Sequence, residues 1–144
     1  MSYILTEVSR VIPADVGDVW GIISAWGSER LWLPGVTKST LEGFGVGAIR
    51  TITIANTSSP IPEKLEAIDA ANHTIRYRIF NDDVNTPMYG NVELNVVDEH
   101  NTQFIWVAET GPLEDSKRDE MAEALEILYN ASLDAISAIL ATDK

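Results

Sequence analysis

The chain has 144 residues, no cysteine and a formal net charge of −12. This length is enough for one domain with its own apolar core, and the lack of cysteine excludes disulfides and thiol catalysis. The acidic charge argues against binding to nucleic acid or to anionic membrane surfaces, because both require a basic face on the protein. We therefore expect a single domain over residues 1–144 whose ligand is not a polyanion.

The first ten residues contain charged side chains and no apolar signal core. We also expect no stretch long enough to span a bilayer. Together these features predict a cytoplasmic protein without membrane insertion. The sequence shows no cluster of His, Cys and carboxylate residues at metal-ligand spacing and no nucleotide-binding loop, so we expect neither a metal nor a cofactor.

The N-terminal third predicts a strand followed by short helical pieces. Tyr3–Ile12 mixes β-branched and polar residues, which is typical of a strand. Pro13-Ala14-Asp15 ends this strand and provides good start signals for a helix. The apolar residues of that helix fall on one stripe, formed by Val16, Val19, Trp20 and Ile23. The tryptophan-rich segment Trp26–Gly35 predicts a short second helix or a turn.

Six further strands are expected, at Val36–Glu42, Ala48–Ala55, Glu63–Asp69, His73–Phe80, Met88–Val97 and Thr102–Glu109. The glycine-rich turn Gly43–Gly47 joins the first two of them. It is not a phosphate-binding loop, because it lacks the Lys-Ser/Thr ending and no helix follows it. The small-residue loop Asn56–Pro62 joins the second strand of this series to the third.

One long helix, about Ser116–Leu140, closes the chain. Its inward stripe consists of Met121, Leu125, Leu128, Ser132, Leu133, Ile136 and Leu140. Acidic residues crowd its first turns, where they complement the helix dipole. A single long helix against a curved antiparallel sheet leaves a space between the two layers, so this order of elements predicts an α+β fold with an internal cavity.

Several short segments, taken in chain order, resemble the polyketide cyclase/dehydratase and lipid-transport branch of the START-like (SRPBCC) superfamily, which includes the birch pollen allergen and the plant abscisic acid receptors. The segments are Pro13-Ala14-Asp15 with Val19-Trp20, Gly47-Ala48-Ile49-Arg50-Thr51, Glu63-Lys64-Leu65 with Asp69, Tyr77-Arg78-Ile79, and Trp106. The resemblance spans about Tyr3 to Leu140, and the block from Arg50 to Asp69 is its most specific part.

The resemblance implies a helix-grip fold, in which a seven-stranded curved antiparallel sheet surrounds a long C-terminal helix and two short helices follow the first strand. It also implies a hydrophobic ligand cavity. It does not imply one activity, because the superfamily mixes carriers, receptors and cyclases.

Arg50 and Glu63 are the first candidate site residues. Arg50 shares strand parity with apolar neighbours, and Glu63 shares it with Leu65 and Ala67, so these side chains are expected on the inward face of the sheet. The hairpin that carries them is roughly symmetric about residues 56 and 57, which predicts that they lie opposite each other. A buried ion pair is weak evidence for stability, and we therefore suspect ligand contact or catalysis. The alternative is a partly solvated cross-strand pair near the mouth of the barrel.

Tyr77 is the third candidate catalytic residue, because an inward tyrosine offers an apolar ring with a hydroxyl that can donate to a ligand carbonyl. The alternative is that it is only part of the core or the cavity wall. Tyr89 is expected on the outer face, unless Gly90 marks a bulge that turns it inward. The expected ligand-binding wall consists of Trp106, Phe104, Trp32, Leu65, Met121, Leu125 and Tyr129.

We expect the cavity to bind a hydrophobic, aromatic or polyketide-like small molecule for cofactor-free cyclisation, dehydration or isomerisation in a biosynthetic pathway. In this reading Glu63 shuttles a proton, while Arg50 or Tyr77 stabilises an enolate oxygen. The alternative is a non-catalytic carrier or receptor with Asn56–Pro62 as a movable lid. A third hypothesis is a partner-binding module of the chaperone-activator type, which would need an exposed apolar groove. A homodimer is compatible with the sequence.

Overall fold

A computed structural model of the chain describes residues 2–55 and 59–141. Seven antiparallel strands form one sheet in the order β1-β7-β6-β5-β4-β3-β2. The strands are β1 (Tyr3–Ile12), β2 (Val36–Glu42), β3 (Ile49–Ile54), β4 (Ile61–Asp69), β5 (Thr74–Ile79), β6 (Met88–Asp98) and β7 (Asn101–Thr110). The helices are α1 (Val16–Ile23) and α2 (Asp115–Ala141). This arrangement confirms the predicted helix-grip fold.

The short helical region after β1 covers one end of the sheet. The side chain of Asp15 caps α1 by accepting a hydrogen bond from the backbone N–H of Gly17 at 3.0 Å. Helix α1 has only eight residues, so its stability depends on packing, and Val19 and Ile23 are buried against the core. The predicted second short helix is a single 3-10 turn, Glu29–Leu31.

The predicted bounds of β1 and β2 match the observed ones, and those of the other strands differ by one or two residues at an end. Strand β4 begins at Ile61, two residues before the predicted start, because Ile61 and Pro62 already pair with β3. A larger difference lies at Ala67, which the alternation placed inward together with Leu65. The register of β4 shifts between these two residues, and such a bulge reverses the faces that follow it. Ala67 is consequently exposed.

The long helix α2 packs on the sheet mainly through its C-terminal half. Its buried residues are Tyr129, Ser132, Leu133, Ile136 and Leu140. Arg10 of β1 fixes this half, because its guanidinium donates to the backbone carbonyl of Asn130 at 3.0 Å and to the Asp134 carboxylate at 2.7 Å. Met121 and Leu125 in the N-terminal half are only partly buried. The two halves of α2 therefore contribute differently to the core.

Helix α2 is also the one described helix that is long and apolar enough, by length and composition alone, to cross a membrane. The sequence-based expectation that no stretch has this length is therefore wrong. Exposed apolar side chains such as Ile127, which is 65% exposed, add to the apolar character that the buried stripe already gives the helix. The core helix of a globular fold passes the same test, and the absence of membrane insertion stays a prediction.

Candidate functional site

Arg50 lies at the centre of a buried group of charged residues. It faces Glu63 across the β3–β4 pairing, and its exposed fraction is only 4%. Its Nε donates to Oε1 of Glu63 at 2.8 Å, and its Nη2 lies 2.7 Å from the same oxygen. Both side chains point inward, as the alternation predicted. The alternative of a solvated cross-strand pair is wrong, because Glu63 is only 7% exposed.

A second carboxylate, Glu29, completes this group and was missed in the sequence. Oε2 of Glu29 accepts hydrogen bonds from Nη1 of Arg50 and from the backbone N–H of Gly27, both at 2.9 Å. The residue is fully buried, and its Oε1 has no hydrogen-bond partner. Its spacing offered a signal, since Glu29 lies three residues from both Trp26 and Trp32 and would share a helical face with them.

Aromatic rings surround the guanidinium of Arg50. Its Cζ lies 3.5 Å from the centroid of the Trp26 ring and 4.8 Å from that of Tyr77, as in cation–π contacts. Tyr77 is held in turn by Trp106, whose Nε1 donates to the tyrosine Oη at 3.0 Å. The Trp106 ring stacks on Tyr129 with 3.9 Å between centroids. Carboxylates thus bind the edge of the guanidinium, while rings cover its face.

A small space remains between the segment from α1 to β2 and the inner face of the sheet. We call it the aromatic chamber, and its lining residues are Ile23, Trp26, Trp32, Arg50, Ile75, Tyr77, Val92, Phe104 and Trp106. Its volume is about 10 Å³, which is room for about one water molecule. In this conformation the aromatic side chains fill most of the cavity that the fold predicts.

Most of the predicted site residues either line the chamber or lie directly behind the residues that line it. Arg50, Tyr77, Trp32, Phe104 and Trp106 line it directly. Glu63 contacts Arg50 and Tyr129 stacks on Trp106, so both lie behind lining residues. Leu65 is buried in the core, whereas Met121 and Leu125 are half-buried on α2. Contact of the residues behind the lining and of the α2 residues with a ligand stays a prediction.

Burial shifts the acid–base properties of this cluster. Burial raises the pKa of Glu63, although the nearby Arg50 guanidinium opposes this shift. Burial would lower the pKa of Arg50, but the Glu63 and Glu29 carboxylates raise it above its usual value. Burial and the Glu63 charge raise the pKa of Tyr77 to about 12. At neutral pH Arg50 therefore keeps its charge and Tyr77 keeps its proton, while the pKa of Glu63 lies above its usual value.

Gly90 makes room for Tyr77. The two residues are partners in the regular β5–β6 pairing, so Gly90 does not mark a bulge. Tyr89 consequently stays on the outer face, where the Arg76 guanidinium lies 4.2 Å above its ring. A Cβ atom placed on Gly90 would lie 2.1 Å from Cζ of Tyr77. Any larger residue must therefore displace the tyrosine ring.

We expect Gly90→Ala to lower the free energy of unfolding by about 1–3 kcal/mol, the usual effect of overpacking a core. The displaced ring should also lose its hydrogen bond from Trp106, which should change the tryptophan emission spectrum. Urea denaturation followed by fluorescence measures both effects. Gly21→Ala in α1 is the matched control, because no atom lies within 4 Å of the added Cβ there. Equal stability of the two variants would contradict the packing role of Gly90.

A larger groove, about 360 Å³ in volume, lies on the outer face of the sheet, where Thr74, Arg76, Asn91, Glu93 and Val107 contribute to its walls. Its two charged side chains are bound by neighbouring residues, and Glu93 accepts a hydrogen bond from the Asn95 side chain at 3.1 Å. Arg76 donates to Glu109 at 2.6 Å and to Asn91 at 2.9 Å, and Asn91 also donates to Glu109. Because these polar groups are already paired within the sheet, the groove lacks the converging unpaired groups that mark a ligand site.

Two expectations concern features outside this cluster. Within residues 2–55 and 59–141, no three His, Cys, Asp or Glu side chains come together in a way that could hold a metal ion. Of the loop proposed as a movable lid, Asn56–Pro62, residues 56–58 lie outside the described part of the chain. The lid therefore stays a prediction.

Known structures share this fold. The protein XoxI from Bacillus cereus aligns with a TM-score of 0.80 and 21% identity, over 93% of each chain. Norcoclaurine synthase from Thalictrum flavum aligns with a TM-score of 0.78 and 18% identity, over 100% of this chain and 89% of that one. The Zhui aromatase/cyclase from a Streptomyces species aligns with a TM-score of 0.74 and 19% identity, over 96% and 93%.

No curated protein sequence matches the chain significantly. The sequence profile of one family, described as polyketide cyclase / dehydrase and lipid transport, matches residues 4–141. This match covers nearly the whole chain and includes every residue of the Arg50 cluster. It also confirms the resemblance stated from the short sequence segments. The chain belongs to the polyketide cyclase/dehydrase and lipid transport family.

Proposed function

We propose that this protein binds a hydrophobic, aromatic or polyketide-like small molecule at the aromatic chamber and converts it without a cofactor. The observation that carries the proposal is the buried Arg50, which lines an otherwise aromatic chamber and is bound by two carboxylates. Apolar residues of similar volume are often as stable as a buried ion pair. Retaining three charges at this place therefore indicates a role in ligand chemistry. The description of the family supports a hydrophobic ligand.

The reaction class that suits the cluster is cyclisation, dehydration or isomerisation through an enolate. The Glu63 carboxylate removes a proton from the carbon beside a carbonyl, and the electron pair moves to the carbonyl oxygen. In this proposal Arg50 and the Tyr77 hydroxyl stabilise that oxygen. Return of this proton from Glu63 to a different, conjugated carbon gives isomerisation. Alternatively, the enolate carbon attacks a second carbonyl and closes a ring, and the alkoxide oxygen formed there takes the proton from Glu63. Loss of water from the resulting alcohol completes a dehydration.

A carrier or receptor is the second candidate function, and one observation favours it. Glu63, the group with the shifted carboxyl pKa, contacts Arg50 and is not among the residues that line the chamber. The lining residues that carry protons are Arg50 and Tyr77, and both hold them at neutral pH. A ligand bound to these walls alone would be held without proton transfer.

Binding is tested with N-phenyl-1-naphthylamine, a neutral fluorescent probe, and with mass spectrometry of small molecules extracted from the purified protein. We expect saturable binding at about one site, with a change in tryptophan emission that Trp106→Phe reduces, because Trp106 lines the chamber. A folded protein that neither binds the probe nor releases a small molecule would remove the basis for both candidate functions. The cytoplasmic location and a homodimer likewise stay predictions.

A further inference from the structure

We infer that Trp26 is the movable cover of the aromatic chamber, and that a neutral planar aromatic ligand enters by displacing its indole and stacking on the Arg50 guanidinium in its place. This inference rests on the proposed function, since it requires that the chamber binds a ligand. It extends that function by naming the residue that controls ligand entry, the surface on which the ligand lies and the charge of the ligand.

Some side chain has to move before a ligand can bind. The chamber has a volume of about 10 Å³, whereas an apolar cavity that binds benzene is about 150 Å³. Close-packed interiors do not expand evenly, so the space has to come from a discrete displacement of a large side chain. Three indoles line the chamber, those of Trp26, Trp32 and Trp106, and each is large enough to provide that space.

Trp26 is the one of these three indoles whose N–H makes no hydrogen bond. Nε1 of Trp32 donates to Oγ of Ser28 at 3.2 Å, and Nε1 of Trp106 donates to Oη of Tyr77 at 3.0 Å. Nε1 of Trp26 is buried and has no hydrogen-bond partner. A buried unpaired N–H is unfavourable, so swinging this indole into water breaks no indole hydrogen bond and hydrates the N–H. Trp26 is also partly exposed already, whereas Trp32 and Trp106 are buried.

The surface beneath Trp26 stays in place when the indole leaves. The edge of the Arg50 guanidinium is held by Glu29 on one side and Glu63 on the other. Its face is covered by the Trp26 ring, with 3.5 Å between Cζ and the ring centroid. Guanidinium groups stack on aromatic faces while their N–H groups bind carboxylates. An incoming aromatic ring can therefore make the same contact that the indole made.

The charges around Arg50 select a neutral ligand over an anionic one. One guanidinium already faces two carboxylates, Glu29 and Glu63, so no unpaired positive charge remains for a ligand carboxylate. A buried charge without a partner is strongly unfavourable. A neutral substrate also fits the proposed chemistry, because its enolate carries one negative charge, whereas the enolate of an anionic substrate would carry two at a buried site that already holds the Glu29 carboxylate.

The cover is tested by measuring the affinity and association rate of N-phenyl-1-naphthylamine for the wild-type protein, Trp26→Ala and Trp20→Ala. If the closed form exceeds about 90% of the wild-type population, removing the cover should raise affinity at least about tenfold, because closed molecules do not bind. Association should become faster to a similar degree. Trp20→Ala is the matched control, since Trp20 is also partly buried but packs on His73 outside the chamber. It should change neither quantity more than about twofold.

The outcomes separate this inference from the proposed function. Wild-type binding that Trp26→Ala weakens or leaves unchanged would show that the indole is a fixed wall, which overturns the cover and leaves the proposed function standing. If neither protein binds the probe, both the cover and the proposed function are overturned. If only Trp26→Ala binds it, the cover never opens in the wild-type protein, and both are overturned as well. If Trp26→Ala does not fold, Trp26→Phe should still show a smaller gain in affinity and association rate. Absence of that gain would also overturn the cover.

The ligand class is tested with 2-naphthol, which is neutral, and 2-naphthoate, which is an anion. Tighter binding of the anion would overturn the preference for a neutral ligand.

Discussion

Replacing Arg50 with alanine is expected to lower the free energy of unfolding by about 3–5 kcal/mol, the range for removing one partner of a buried ion pair. The reason is that two buried carboxylates, Glu29 and Glu63, lose the cation that both of them bind. Glu29 is affected most directly, because its Oε1 already lacks a partner and its Oε2 would keep only the backbone N–H of Gly27. Urea denaturation followed by circular dichroism measures the change.

Two further variants show whether charge is responsible for this loss. Arg118→Ala removes an ion pair with Asp115 on the surface of α2, and we expect a change of about 0.5 kcal/mol or less, as is usual for exposed pairs. The triple variant Glu29→Gln, Arg50→Met and Glu63→Gln removes all three charges together. Its stability should recover most of the loss, because no buried carboxylate then lacks a cation. A triple variant as unstable as Arg50→Ala would indicate that packing of the arginine side chain, not its charge, holds the site together.

The pairing of Arg50 with Glu63 could be predicted from the sequence because it depends only on local rules. Side chains alternate along a strand, and the near-symmetry of the hairpin fixes which residues face each other. The observed register matches that expectation. The same alternation failed at Ala67, because a bulge inserts one residue into β4. No residue type in that stretch distinguishes a bulged strand from a regular one.

Glu29 and the filled chamber could not be predicted in this way, since both depend on contacts between distant parts of the chain. Glu29 meets Arg50 only because the 3-10 turn packs against β2, which lies beside β3 in the sheet. Likewise, the alternation of Tyr77 and Trp106 shows which face their rings occupy but not how much space the rings leave. That space follows from their actual positions, including the room that Gly90 leaves for Tyr77.

Replacing Glu63 with glutamine is expected to separate catalysis from carriage. Glutamine keeps the shape and hydrogen-bonding capacity of the side chain but cannot exchange a proton. In the catalytic reading, turnover of an identified substrate should fall about 10²–10⁴-fold, the usual range for a lost acid–base group, while ligand affinity changes little. If the protein is a carrier, the same variant should change ligand affinity modestly, and neither protein should show turnover. Tyr77→Phe is the companion variant, because it removes the hydroxyl that the proposal assigns to the ligand oxygen without removing a group that exchanges protons near neutral pH.

The pH dependence of stability provides an independent check on Glu63. Because burial raises its pKa, the folded protein binds a proton that the unfolded chain releases near the ordinary carboxyl value of 4.5. The stabilising contribution of Glu63 is therefore complete below that pH and is lost as pH rises toward the raised pKa. The stability of the wild-type protein relative to Glu63→Gln should decline across this window, as measured by urea denaturation at several pH values. A relative stability that increases with pH would mean that the ion pair with Arg50 outweighs burial and that Glu63 stays ionised. The ion pair would then lower the pKa of Glu63 and make it a weaker base, which would favour the carrier hypothesis.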